Sequence, residues 1–275
     1  MTNITYPPPR PLTVGEVLDL SFRIYTSTVV KCVPLAALAM LASEAVNIYS
    51  VATHRSLLVA MQSRDPGIGL VYLIGVVLAA ILHGAILLRQ RALITGEATG
   101  SEFGAVARRV LALIGLYFIL GLVFIIPIAL IAAGIAAGVT AMLVGIILLI
   151  PACYVFVQWS VSWAALLLTG AGVFESLGRS WRLTSGSFWR LTLIYTVAVV
   201  IIWVAYMVVS FVAVGVAALF GRGDLAVFTA ATTVVAVAMG AVIVPFYTAL
   251  ALAVFGDLTV RKEGADIAQR ISASA

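Results

Sequence analysis

The chain has 275 residues, of which 63% are hydrophobic and only 10% are charged. Ordinary soluble domains carry roughly 25% charged residues, so this composition excludes a soluble globular protein. A bilayer crossing takes about 20 apolar residues, which gives room for six crossings but not for a separate soluble catalytic domain. The net charge of +5 raises the question whether the protein binds nucleic acid, and the distribution of the charges decides it.

Long segments contain no Asp, Glu, Lys or Arg at all, among them 110–174, 191–221 and 225–256. Because the hydrocarbon core offers no water, a crossing segment must close its backbone hydrogen bonds internally as a helix. The sequence therefore predicts an all-α polytopic membrane protein, with 1–275 as a single integral membrane domain. The six predicted transmembrane helices are 29–53, 69–90, 110–133, 139–169, 190–220 and 225–256.

The N-terminal segment lacks the apolar region of a secretory signal peptide. The first transmembrane helix is therefore expected to direct its own insertion. Cys32 and Cys153 both fall in apolar segments, and we interpret them as small buried hydrophobic residues and not as a disulfide or a metal-binding pair.

The basic residues are distributed unevenly between the two sides of the predicted bundle. With the N-terminus in the cytoplasm, three of the 16 Lys and Arg lie outside, namely Arg55, Arg64 and Arg222. The cytoplasmic segments carry Arg10, Arg23, Lys31, Arg89, Arg91, Arg108, Arg109, Arg179, Arg182, Arg190, Arg261, Lys262 and Arg270. This asymmetry obeys the positive-inside rule. The orientation of the helices in the membrane, together with contacts of basic residues to anionic lipid, explains the net charge. Binding of nucleic acid is not needed to explain it.

The boundary between the third and fourth crossings is open to two interpretations. Residues 134–138 (GIAAG) form either a tight turn or a small-residue motif for close helix packing. An uninterrupted helix from 110 to 169 would measure roughly 90 Å at 1.5 Å per residue, about three bilayer cores. The charge balance also favours the turn.

A threefold repeat is the most structured signal in the chain. A helix N-cap is followed by Glu three residues later and by Arg seven residues after the Glu, as in the first copy at 13–23 and the others at 99–109 and 172–182. Thr and Gly are acceptable N-caps, and Thr followed by Glu is a capping box. Each copy precedes an odd-numbered crossing, so we predict three short helices over 13–24, 99–109 and 172–183.

The repeat predicts the architecture. Each unit consists of a cytoplasmic interfacial amphipathic helix and a two-helix hairpin, over approximately 12–98, 99–171 and 172–256, with 257–275 as a cytoplasmic tail. The charged residues of the repeat have two interpretations: solvated faces of interfacial helices, or one network or lipid-headgroup ring. The residues in question are Glu16, Arg23, Glu102, Arg109, Glu175 and Arg182.

Three segments resemble the bacterial glycerophosphoryl diester phosphodiesterase membrane-domain family. They are 10–19 (RPLTVGEVLD), 175–184 (ESLGRSWRLT) and 257–266 (DLTVRKEGAD), where Thr259 stands at a position that is commonly Arg. The resemblance implies a bacterial inner-membrane protein without the catalytic domain. It implies no phosphodiesterase activity, since that chemistry needs paired histidines and carboxylates around a divalent ion. The chain has only His54 and His83, so we predict no catalytic residues, metal or cofactor.

Ionisable and polar groups inside a membrane are costly and are therefore candidates for function. The chain offers Glu44 in the first crossing, His83 in the second and Gln158 in the fourth. A cavity lined by these residues favours a small transporter or lipid translocator. A bundle without one favours a non-catalytic scaffold, regulator or lipid-binding module of the envelope, which is the main hypothesis. A membrane-embedded enzyme acting on lipid headgroups is the third alternative.

Both termini are expected on the cytoplasmic side. In a variant without native cysteines, an impermeant thiol reagent applied to intact cells should label a cysteine placed at position 62 or 223. The same reagent should not label one at position 98 or 184, because those positions follow even numbers of crossings. Labelling at 184 would contradict the topology.

Overall fold

The computed structural model describes residues 4–54, 65–220 and 225–274. These residues form ten α-helices and no β-strand. Arg55, Arg64 and Arg222, which were predicted in outer loops, lie outside the described residues. The helices are α1 Val14–Ser43, α2 Ala45–His54, α3 Pro66–Thr95, α4 Glu102–Ala107, α5 Val110–Ala137, α6 Val139–Gln158, α7 Ser162–Thr169, α8 Val173–Thr184, α9 Phe188–Phe220 and α10 Leu225–Ser274.

Six segments are long and apolar enough to cross a membrane, which confirms the predicted number. They are Val14–Ser43, Pro66–Thr95, Val110–Gly134, Val139–Thr169, Phe188–Phe211 and Ala226–Gly264. The first crossing was predicted at 29–53. In the structure its helix runs from Val14 to Ser43, and a second helix begins at Ala45.

The first predicted short helix is part of a longer one. The capping box at Thr13 forms as predicted: Thr13 Oγ1 accepts from Glu16 N at 3.3 Å, and Glu16 Oε2 accepts from Thr13 N at 2.7 Å. However, α1 continues through 13–24 to Ser43 without a break. No Gly or Pro occurs between Gly15 and Pro34, so nothing in the backbone ends the helix.

The second predicted short helix begins later than the repeat suggests. Gly100 has a φ of +121°, a conformation that no right-handed helix contains. The helix therefore starts at Glu102 and is only six residues long. The capping box from Thr99 does not form; Glu102 Oε2 instead accepts from Gly100 N at 2.7 Å. The third predicted helix is present as α8, whose 12 residues run from Val173 to Thr184.

Both interpretations of 134–138 contribute to the structure. Gly138 has a φ of +110° and separates α5 from α6, so the segment is a turn. At Gly134 a Cβ atom would lie 2.6 Å from Met142, and at Gly145 one would lie 2.7 Å from Pro127 O. Gly134 and Gly145 thus lie at close contacts between α5 and α6, as small residues permit in membranes.

The packing differs between the two ends of the bundle. We call the end that contains Arg23, Arg109, Arg190 and Arg261 the charged end, and the end that contains the Gly138 turn the apolar end. The largest fully buried side chains of the described residues are all at or next to the charged end: Ile24, Ile86, Leu87, Gln90, Leu113, Leu116, Leu166, Leu191, Ile194, Leu250, Leu252 and Leu258.

The apolar end shows large hydrophobic side chains on its surface. Ile128 is 57% exposed, Val139 64% and Ile147 63%. Lipid tails are as apolar as these side chains, so burying them within the protein brings little gain in a bilayer. In water the same burial is favourable by about 25 cal/mol per Å². The densest core lies at the charged end, although Leu111 and Phe174 there are 82% and 81% exposed.

A buried carboxylate ties the N-terminal segment to α9 and α10 at the charged end. The side chain of Asp257 is 1% exposed and receives Leu12 N on Oδ1 at 2.7 Å. Its Oδ2 receives Arg190 Nη1 at 2.7 Å and Arg261 Nε at 3.1 Å. Both arginines also donate to the Leu12 carbonyl. Tyr6 adds a hydrogen bond from its phenol to Leu252 O at 3.3 Å, and burial raises the pKa of that phenol.

The Asp257 cluster should contribute strongly to stability. Asp257→Asn removes the negative charge and leaves two arginines facing each other. We therefore expect the free energy of unfolding to fall by about 3 kcal/mol. This is the lower end of the range for breaking a buried ion pair, because both arginines still reach water. Thermal unfolding in detergent measures the effect. The matched control is Glu97→Gln, which breaks an exposed pair with Arg91 and should change little. Equal stability of the two variants would contradict the structural role of Asp257.

Candidate functional site

A cavity of about 600 Å³ opens between the helices next to the charged end. This volume lies within the range of about 300–1,000 Å³ that is usual for ligand pockets. Seven of its lining residues are aromatic: Tyr117, Phe124, Phe156, Trp159, Trp163, Tyr195 and Tyr247. The remaining ones are His83, Leu120, Gly121, Val157, Ser160 and Val199. With His83 counted as neutral, none of these described lining residues carries a formal charge at neutral pH.

The cavity lies next to the packed core of the charged end. Along α5, Leu113 and Leu116 are fully buried, and the cavity lining follows them with Tyr117, Leu120, Gly121 and Phe124. Tyrosine and tryptophan suit this position because one end of the side chain is apolar and the other polar. The cavity therefore offers an apolar interior with hydrogen-bonding groups on its wall.

A break in the fourth crossing forms one wall of the cavity. The predicted crossing 139–169 is confirmed as one segment long and apolar enough to span a membrane. Within it the structure has α6 and α7 with a turn at 159–161 between them. The sequence of the segment does not show this break, because side-chain hydroxyls from another helix satisfy it. Gln158 O accepts from Ser180 Oγ at 2.8 Å and from Thr184 Oγ1 at 3.0 Å. These bonds from α8 satisfy a carbonyl that an interrupted helix would leave without a partner.

His83 lines the cavity, as the sequence interpretation of a polar intramembrane site suggests. Its Nδ1 lies 2.7 Å from the backbone oxygen of Ala79, one turn earlier in α3. A carbonyl only accepts hydrogen bonds, so Nδ1 carries the proton. In the neutral imidazole the other nitrogen, Nε2, is then an acceptor.

Two further polar atoms of lining residues are buried without a hydrogen-bond partner among the described residues. They are Nε1 of Trp163 and Oγ of Ser160. Trp163 is 6% exposed, and its ring stacks on Tyr247 with centroids 6.1 Å apart and planes within 4°. The Tyr195 phenol is the neighbour of Ser160. Both unpaired atoms are closed off from the cavity, so they cost the fold free energy and offer no contact to a ligand.

Glu44 and Gln158, the other two predicted intramembrane residues, lie elsewhere. Glu44 ends α1 and is half-buried, with Asn47 Nδ2 donating to its Oε2 at 2.7 Å. The side chain of Gln158 is buried, and its Nε2 donates to the Tyr154 hydroxyl at 2.8 Å. Neither is among the residues that line the cavity, so the structure does not bring the three predicted residues together.

The three carboxylates of the repeat bond to partners in their own segments. Glu16 pairs with Arg10 at 2.5 Å, and the exposed Arg10 has its pKa raised by this hydrogen bond. Glu102 and Glu175 accept from Gly100 N and Gly172 N. Among the described residues no ion pair joins one copy of the repeat to another.

The three arginines of the repeat differ from one another. Arg109 donates to Leu166 O at 3.4 Å, at the C-terminal end of α7, where a cation is favourable for the helix dipole. Arg23 and Arg182 are exposed, and no ion pair is formed by either in the part of the chain that the structure describes. Of the three arginines of the repeat, these two have side chains that are free to contact a lipid headgroup.

Gln90 is a buried polar residue that the sequence interpretation missed. Its Nε2 donates to Pro245 O at 2.8 Å and to Thr28 Oγ1 at 3.2 Å, and its Oε1 accepts from Thr248 Oγ1 at 2.7 Å. The amide thus joins α1, α3 and α10. Because these bonds satisfy it, we assign it to the fold and not to the cavity. A glutamine between two arginines in an apolar helix was the available signal.

Comparisons with models of protein families, with curated proteins and with solved structures find no match to this chain. The family resemblance of its three segments therefore stays a prediction.

Proposed function

We propose that this protein is a non-catalytic lipid-binding module of the bacterial inner membrane. The observation that carries the proposal is the uncharged, mainly aromatic cavity at the boundary between the packed charged end and the exposed apolar end. A lipid in a bilayer has its apolar chains and polar head on the two sides of such a boundary. A ligand in this cavity has apolar surroundings together with Nε2 of His83 as a hydrogen-bond acceptor.

The proposed topology is three hairpins, each preceded by an interfacial helix, with both termini cytoplasmic. The distribution of Lys and Arg supports the orientation. The close contacts of α5 with α6 at Gly134 and Gly145 support the middle hairpin. In α8, Leu177 is buried in the core, whereas Phe174 is 81% exposed and Trp181 39%, as suits a helix at a membrane interface.

Anionic lipid headgroups are the proposed partners of the charged end. Arg23 and Arg182 are exposed on that end, and a basic side chain near an anionic leaflet contributes about 1 kcal/mol of attraction. This contact is separate from the cavity, whose described lining is uncharged.

Translocation of a lipid is the second candidate function. The observation in its favour is the break at 159–161, since interrupted helices beside a cavity occur at transporter binding sites. A reconstituted transporter would accelerate lipid exchange between leaflets, whereas a binding module would retain lipid without accelerating it.

The cavity can be filled at Gly121 without disturbing the helices. A Cβ atom at this position meets nothing within 4 Å, so Gly121→Phe should place a ring in the cavity. Mass spectrometry of lipids that remain after mild purification should show a neutral lipid enriched in the wild type and reduced at least about fivefold in the variant, which corresponds to roughly 1 kcal/mol.

The matched control is Gly215→Phe. Gly215 lies in α9, meets nothing within 4 Å and does not line the cavity. This variant should retain lipid like the wild type. The same lipids in the same amounts in all three proteins would place lipid binding outside the cavity, and an absence of any enriched lipid from the wild type would refute the proposal.

A further inference from the structure

The hydrogen-bonding groups at the cavity specify the head of the ligand. We infer that it is an uncharged lipid alcohol, whose hydroxyl donates to Nε2 of His83. This inference rests on the proposed lipid-binding function and adds the chemical class of the ligand.

The acceptor in the cavity is Nε2 of His83. The bond from Nδ1 to Ala79 O places the ring proton on Nδ1. Nothing in the described part of the chain donates to Nε2. A ligand that satisfies this nitrogen must bring a hydrogen-bond donor.

The indole N–H of Trp163 and the hydroxyl of Ser160 have no hydrogen-bond partner among the described residues, but both atoms are closed off from the cavity. They therefore set no requirement for the ligand. The phenols of the cavity can donate or accept and do not discriminate between ligands.

Common lipid heads differ in whether they bring a hydrogen-bond donor without a formal charge. A quinone or an ester carbonyl accepts only and leaves Nε2 of His83 without a donor. A phosphate carries negative charge into a cavity whose described lining has no cation, which is costly. An ammonium head carries positive charge into a cavity whose described lining has no carboxylate. A hydroxyl donates and is uncharged, so it meets both conditions.

Ligand analogues test this chemistry with the intact protein. The probes are dioleoylglycerol, its methyl ether with the hydroxyl blocked, and dioleoyl phosphatidic acid, added to purified protein in detergent. A long-chain isoprenoid alcohol and its methyl ether distinguish the two sources of a lipid hydroxyl. Binding is measured by native mass spectrometry and by the emission of the cavity tryptophans.

We expect at least one alcohol to bind about tenfold more tightly than its methyl ether, because the ether leaves a buried acceptor unpaired. His83→Phe keeps a ring but removes the acceptor, so it should reduce alcohol binding to the level of the ether and leave ether binding unchanged. The control is Trp203→Phe in α9, whose side chain is 59% exposed and lies outside the cavity. It should leave the difference between alcohol and ether unchanged.

The outcomes separate this inference from the proposed function. Equal binding of alcohol and ether, reduced for both by Gly121→Phe, would overturn the inference and leave the lipid-binding function standing. Tightest binding of phosphatidic acid would overturn it in the same way. No binding of any probe, together with no effect of Gly121→Phe on retained lipid, would refute both. The wild-type comparison of alcohol with ether decides the question even if His83→Phe fails to fold.

Discussion

The buried carboxylate of Asp257 holds the charged end of the bundle together. It receives the backbone of Leu12 and the guanidinium groups of Arg190 and Arg261, which come from three distant parts of the chain. A carboxylate that is 1% exposed is tolerable only when its hydrogen bonds are satisfied. This requirement fixes the N-terminal segment against α10 and sets α9 beside it.

The same end is reinforced by α8. Arg179 pairs with Glu263 at 2.6 Å, and its guanidinium lies 5.8 Å from the ring centroid of Phe255. On its other side, Ser180 and Thr184 donate to Gln158 O. One short helix thus connects α10 to the broken fourth crossing. Since that break lines the cavity, the position of the cavity depends on the packing of the charged end.

The two ends of the bundle follow different rules of solvation. At the charged end, apolar groups leave water and form a dense core around residues such as Ile24, Leu116 and Leu252. At the apolar end there is no comparable drive, and contacts depend on small residues such as Gly75, where a Cβ would lie 2.5 Å from Ala42 O, and Gly134. The cavity lies between these two parts of the bundle, where neither the burial of apolar groups away from water nor close contacts at small residues fill the space.

The sequence by itself determined the number of crossings, the helical class and several helix ends. Uncharged segments of sufficient length can only be spanning helices, Thr13 with Glu16 can start a helix, and Gly138 can turn one. These are properties of short stretches of chain. His83 was identified as a candidate for a similar reason, as a rare ionisable side chain in an apolar segment.

Only the tertiary structure decided which side chains meet. The cavity takes its lining from α3, α5, α6, α7, α9 and α10. Asp257 bonds to Leu12, 245 residues away along the chain, and Gln90 bonds to Pro245, 155 residues away. A helix that is apolar on all sides has no face that predicts its neighbour. The break at 159–161 could not be foreseen either, because it is satisfied by the hydroxyls of Ser180 and Thr184 from another helix. Partition into a membrane depends on local composition, whereas these contacts depend on how the helices pack.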